Sequence, residues 1–196
     1  MEIAFDPPHT AVLAMDCQTG LVSVYAKSQS DFISRAASVL KASRDLRMLV
    51  IQVRVGFRPG LPEVSSRNKL LGPIKASTRH QEFFQGSSGE IHPALGPEPA
   101  DIILTKNRVS AFMGTDLEML LRTREIHTIV LFGITTSGVV LSTLLQASDA
   151  DYRIVVIADC CADQDQELHR ALLERLFPTR ADVITAEDFV GTLMSP

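Results

Sequence analysis

The chain has 196 residues, 45% hydrophobic and 21% charged, and 19 basic against 23 acidic side chains give a net charge of −4. That length holds one domain with one sizeable core, and the composition excludes a disordered chain, a collagen-like chain and a disulfide-rich mini-protein. Mild acidity argues against nucleic acid as the main partner, because phosphate recognition needs concentrated positive charge.

Thr10 to Met15 reads TAVLAM, a short apolar run bounded by Pro7-Pro8 and Gly20, and predicts a buried strand ending at Asp16. Phe32, Ala36, Val39 and Leu40 recur at helical spacing within Asp31 to Arg44. Arg47 to Val55 is rich in β-branched residues and reads as a second strand. Further strands are expected at Ile102 to Leu104, Glu125 to Gly133, Tyr152 to Ala158 and Asp182 to Thr185. Helices are expected from Thr115, where Glu118 completes a capping-box pattern, over Gly138 to Ala150, over Asp163 to Phe177, and over Ala186 to Met194. Strands that are apolar throughout and alternate with helices predict a parallel sheet covered on both faces, an α/β fold of three layers, α/β/α. The whole of 1–196 is expected to be one domain. Its exception in texture is the segment from about 56 to 99, where glycines and prolines crowd around Phe83-Phe84; a connection this long covers a site or meets a partner chain.

No stretch reaches the roughly 18 to 20 apolar residues that span a bilayer, so no membrane partner is expected. The opening MEIAFDPPHTAVLAMD lacks a basic leader followed by an apolar core. Cys17, Cys160 and Cys161 cannot all pair within one chain, and no CxxC or Cys/His cluster suggests zinc. The expectation is a reduced, cytoplasmic protein with small buried thiols, no metal and no cofactor.

In an open parallel sheet, ligands bind at the carboxyl ends of the strands, where strand order reverses. Three places qualify: Asp16 after the first strand, Lys106 after the third, and Gly133-Ile134-Thr135-Thr136-Ser137-Gly138 between the fourth strand and its helix. Asp16 with Lys106 gives an acid–base or electrostatic pair, and the glycine-flanked turn offers backbone N–H groups to an anion. The plain alternatives are a turn brace, a solvated lysine and a tight strand-to-helix joint. No Walker lysine motif, GxGxxG or GxSxG elbow is present.

Taken in order, Asp16-Cys17-Gln18, Lys106 with the Ser-Ala-Phe and Gly-Thr-Asp-Leu run after it, Gly133 to Val140, and Ala158-Asp159-Cys160-Cys161-Ala162-Asp163 resemble the isochorismatase-like, or cysteine hydrolase, superfamily over nearly the whole chain. The resemblance implies a six-stranded parallel sheet of order 3-2-1-4-5-6, a homodimer or larger homo-oligomer, and a non-proline cis peptide between Ile134 and Thr135. It also implies a catalytic Asp16 and Lys106. The position that carries the family's nucleophilic cysteine holds Val139, which has no lone pair and cannot form a thioester.

The isochorismatase branch also lacks that cysteine and hydrolyses an enol ether. By resemblance, Asp16 is then the general acid and Lys106 its electrostatic partner. The alternatives are an amidase that activates water directly and a non-catalytic ligand-binding or scaffold member. The ligand is expected to be a small anionic or carboxylate-bearing molecule. Gln18, Arg54, Arg58, Phe84, Thr135 and Thr136 are the candidate substrate-binding residues, with Arg54 or Arg58 clamping a carboxylate.

Overall fold

The computed structural model describes residues 3–27 and 29–194; the outermost positions of the expected 1–196 domain lie outside the described residues. The run TAVLAM forms β1 (Thr10–Met15), with all six residues buried. Five more strands join it: β2 (Leu49–Val55), β3 (Ile102–Lys106), β4 (Thr128–Ile134), β5 (Arg153–Ala162) and β6 (Asp182–Ile184). They make one parallel sheet of order β3-β2-β1-β4-β5-β6. The order reverses between β1 and β4, so the carboxyl ends of β3, β2, β1 and β4 frame the expected ligand crevice.

The helices are α1 (Thr19–Tyr25), α2 (Phe32–Asp45), α3 (Gly72–Ala76), α4 (Thr78–Gln81), α5 (Leu117–Thr123), α6 (Leu141–Asp149), α7 (Gln166–Ala171) and α8 (Ala186–Met194). Helix α2 buries Phe32, Ala36, Val39 and Leu40 at the spacing that lines one helical face. It packs on β1, β2 and β5 and against α8, while α6 packs on β5. Burial on both faces explains why the strands read as continuous apolar runs rather than alternating ones.

Three local differences from the sequence reading have physical causes. Helix α1 escapes a periodicity test because its TGLVSVY buries only Gly20 completely. The helix expected at Gly138 begins earlier, as a wide π-helical turn over Thr136–Val140, before α6 continues it. The helix expected over Asp163 to Phe177 is interrupted: α7 gives way to a π turn at Leu172–Leu176 and a 3-10 turn at Phe177–Thr179, where Pro178 cannot continue the ladder.

The 56–99 segment is ordered around its own small apolar cluster of Leu61, Val64 and Leu71, with Phe57 and Ile74 against it. Backbone bonds from Thr19 N to Glu90 O (2.9 Å) and from His92 N to Cys17 O (2.9 Å) lay its last part antiparallel to the chain that leaves β1. Gln52 holds the far end through Leu95 O at 2.8 Å and the Asp101 carboxylate at 3.1 Å. Among the described residues no helix is long and apolar enough to cross a membrane.

Gly133 lets β4 run close against the end of β1. Its φ is +142°, and a Cβ there would stand 2.0 Å from the carbonyl oxygen of Met15, the residue before Asp16. Gly133→Ala is therefore expected to cost about 3 kcal/mol or more, through a backbone clash and a disfavoured φ together. A urea denaturation curve checks this; a midpoint close to that of the parent protein would contradict it.

Candidate active site

Asp16 follows β1 with φ +56°, a left-handed conformation rare outside glycine and tolerated best by Asp and Asn. Its N–H donates to Val53 O on β2 at 2.8 Å, so the kink is anchored by the neighbouring strand. Lys106 is the last residue of β3, two strands away, and registers with Val55. The ammonium reaches across and donates to Asp16 Oδ2 at 2.7 Å, and also to Arg108 O at 3.1 Å. Both side chains are buried, at 7% and 3% exposure. Asp16 Oδ1 has no hydrogen-bond partner among the described residues. Burial raises the Asp16 pKa above its ordinary value, against the opposing pull of the Lys106 charge.

The turn after β4 faces this pair. The Ile134–Thr135 peptide is cis. Thr135 O accepts from the N–H groups of Gly138 and Val140, both at 3.2 Å, which curls the backbone back on itself. A Cβ on Gly138 would lie 2.5 Å from Thr135 Oγ1, so only glycine fits the curl without displacing that hydroxyl. A cavity of about 160 Å³ lies between these groups, lined by Asp16, Lys106, Arg108, Thr135, Gly138 and Val139 at one end. Leu21, Tyr25, Leu70, Ile74 and Phe84 make its apolar wall and continue into a neighbouring recess of about 380 Å³, which His80 also lines.

The sequence candidates divide by place. Asp16, Lys106, Thr135, Val139 and Phe84 meet at this one cavity. Gln18 does not: its amide is fully buried, accepts from Val55 N (2.8 Å), and donates to Val55 O (3.0 Å) and Gly89 O (2.8 Å), so it braces the loop. Thr136 is buried behind the turn, its hydroxyl 2.7 Å from His169 Nδ1. Its neighbour Ser137 likewise donates through N–H and hydroxyl to Asp163 Oδ2, at 2.8 and 2.7 Å. Arg54 and Arg58 line a separate recess of about 390 Å³, each already paired with a carboxylate, Arg54 with Glu90 at 2.8 Å and Arg58 with Glu63. Neither arginine is among the residues that line the cavity at Asp16, although the two recesses share Val55 and Phe84. Arg108 was missed. It follows an asparagine in a polar stretch with no periodic signal, and only folding brings it to the cavity.

The cysteines lie elsewhere than this cavity. Cys17, Cys160 and Cys161 are all buried and are not among the residues that line the cavity. Burial pushes all three thiols up, that of Cys161 to about 12. Among the described residues no group of three or more His, Cys, Asp or Glu side chains is arranged to hold a metal ion. The native protein is thus expected to react with a thiol-specific disulfide reagent far more slowly than the unfolded chain, which releases three equivalents. Rapid native modification of even one cysteine would contradict the burial described.

The isochorismatase domain model matches residues 10–188. The isochorismatase family protein YecD of Escherichia coli O157:H7 is 30% identical, covering 94% of this chain and 96% of that protein. A maleamate amidohydrolase of Pseudomonas putida is 25% identical over 93% of this chain and 86% of its own. An isochorismatase family protein of Burkholderia thailandensis superposes with a TM-score of 0.86 at 29% identity, covering 98% of both chains. With its sheet order, its strand-end pair and a domain match over nearly its full length, the chain belongs to the isochorismatase family of hydrolases.

Proposed function

We propose that the protein hydrolyses a small enol ether without a covalent intermediate, with Asp16 as general acid. The observation that carries this reading is the state of Asp16: buried, with its pKa raised by that burial, and holding one carboxyl oxygen without a partner among the described residues beside a cavity lined by no cysteine. The protonated carboxyl delivers its proton to the terminal vinyl carbon. The positive charge that results is shared with the ether oxygen as an oxocarbenium ion. Water adds at the carbon that bears the ether oxygen and gives up a proton to the Asp16 carboxylate; the resulting hemiketal collapses to a ketone and an alcohol, its hydroxyl proton passing to the leaving oxygen. Lys106 holds the carboxylate in place once its proton has gone and stabilises that charge. Leu21, Tyr25, Ile74 and Phe84 give the cavity an apolar side beside the reacting group.

A second reading rests on the similarity to the maleamate amidohydrolase. Here Asp16 is ionised and draws a proton from a water that attacks an amide carbonyl directly. The two readings demand opposite proton states of one residue, so pH separates them.

For the enol-ether reaction, the active form is complete below the Asp16 pKa and is lost as pH rises through it. The kcat profile therefore falls with pH, with a midpoint above the usual carboxylate value of about 4. A profile that rises over the same range identifies the base. Turnover of a panel of enolpyruvyl ethers and short amides by the parent protein, Asp16→Asn and Val139→Cys provides the assay. Asp16→Asn is expected to lower enol-ether turnover by roughly 10²- to 10⁴-fold. Amide hydrolysis that appears only in Val139→Cys, with no enol-ether turnover in the parent, sinks the proposal and marks an amidase that has lost its thiol.

A further inference from the structure

Charge at the cavity does not balance. Three side chains that carry charge at neutral pH line it: Asp16, Lys106 and Arg108. Lys106 is paired with Asp16. Arg108 has no carboxylate within salt-bridge distance among the described residues; its guanidinium donates to two backbone carbonyls, Asn107 O at 2.7 Å and Glu63 O at 2.8 Å. Two of its five N–H donors are thereby used, and the carbonyls fix the plane of the group without cancelling its charge. The Glu63 carboxylate pairs with Arg58 through Oε1 and leaves Oε2 without a hydrogen-bond partner among the described residues, and the Glu90 carboxylate pairs with Arg54; neither lies within salt-bridge distance of Arg108. The cavity carries a net +1 when Asp16 is ionised and +2 when it is protonated, the state that the proposed reaction needs.

We infer that Arg108 is the specificity-determining residue of the site, binding a carboxylate of the substrate through its free N–H groups and so selecting unsaturated small acids over their neutral analogues. The inference rests on the reading of Asp16 as an acid for its chemistry, but not for its binding. A guanidinium held flat by carbonyls keeps a fork that matches a carboxylate in two parallel bonds. Such an anion supplies the counter-charge that the cavity lacks. It also acts on Asp16: negative charge brought beside the carboxyl favours its protonated form and opposes Lys106. Substrate binding and charging of the acid are then one event, and a neutral analogue fails on both counts.

The test uses methacrylate and methacrylamide, which share the acrylate skeleton of an enolpyruvyl ether, match in size and have no leaving group. Dissociation constants come from ligand-observed NMR on the intact parent protein, Arg108→Gln and Arg108→Lys, with unfolding curves to show that each variant is folded. The parent is expected to prefer the carboxylate by about tenfold or more, the order expected of a charge-assisted pair. Arg108→Gln removes that preference by weakening methacrylate, and Arg108→Lys, which keeps the charge but loses the fork, restores part of it. A parent protein that binds both probes equally, or neither, overturns the inference, and so does a carboxylate preference that survives in Arg108→Gln. Should an unfolding curve show that Arg108→Gln does not fold, the Arg108→Lys comparison and the parent's own preference decide in the same way. If the preference depends on Arg108 while no enol ether is turned over, the hydrolase reading falls and the anchor stands. If turnover is found and neutral amides compete as well as acids, the anchor falls and the hydrolase reading stands.

Discussion

The contact between the buried Asp16 carboxyl group and the buried Lys106 ammonium, 2.7 Å apart, organises this molecule. Neither residue could be left alone at that depth: removing one partner of such a pair typically costs about 3–5 kcal/mol, because the remaining charge has lost its solvent and gained nothing. The pair also fixes geometry. It joins the end of β1 to the end of β3 across β2, so three strand ends must keep their stagger for the contact to exist. Everything near the cavity accommodates it. Asp16 accepts a left-handed backbone, Gly133 lets β4 come within reach of Met15, and Gln18 stitches the outgoing loop to β2 through both edges of its amide.

Within that frame the valine at 139 is as informative as a reactive residue would be. Its side chain is 2% exposed and belongs to the main apolar core as well as to the cavity lining. It closes the turn with a methyl surface. Apolar surface beside the Asp16 carboxyl contributes to the burial that lifts its pKa.

The sheet was legible because its signal is local. Runs such as TAVLAM and IVLF need no knowledge of distant residues to be read as buried strands, and the order of the strands came from the resemblance. Asp16 and Lys106 were legible for a related reason: charged residues at the ends of apolar strands stand out. The residues around them were not, because a contact between distant segments leaves no periodic trace. Arg54 sits at a strand end and Arg58 follows in a glycine-flanked turn, the kind of place a ligand clamp occupies, yet Glu90 and Glu63 claim them from 36 and 5 residues away. Arg108 is positioned by a carbonyl 45 residues earlier, inside a segment whose own path the sequence does not reveal. Gln18 follows the acid so closely that a role in the crevice suggests itself, until the backbone of β2 is seen to satisfy it.

The antiparallel contact of Glu90 and His92 with the chain that leaves β1 divides responsibility within the fold. The stretch between Phe57 and Ser88 supplies much of the cavity's apolar wall, but it is moored to the sheet near its two ends. The free energy of closing a loop changes only slowly with its length, roughly 0.6 kcal/mol per doubling. Insertions or deletions between those moorings would redraw the walls while the acid, its ammonium and the turn beneath them stay in place. The architecture is thus a fixed floor under an exchangeable lining, suited to acquiring new substrates by indel rather than by rebuilding its chemistry.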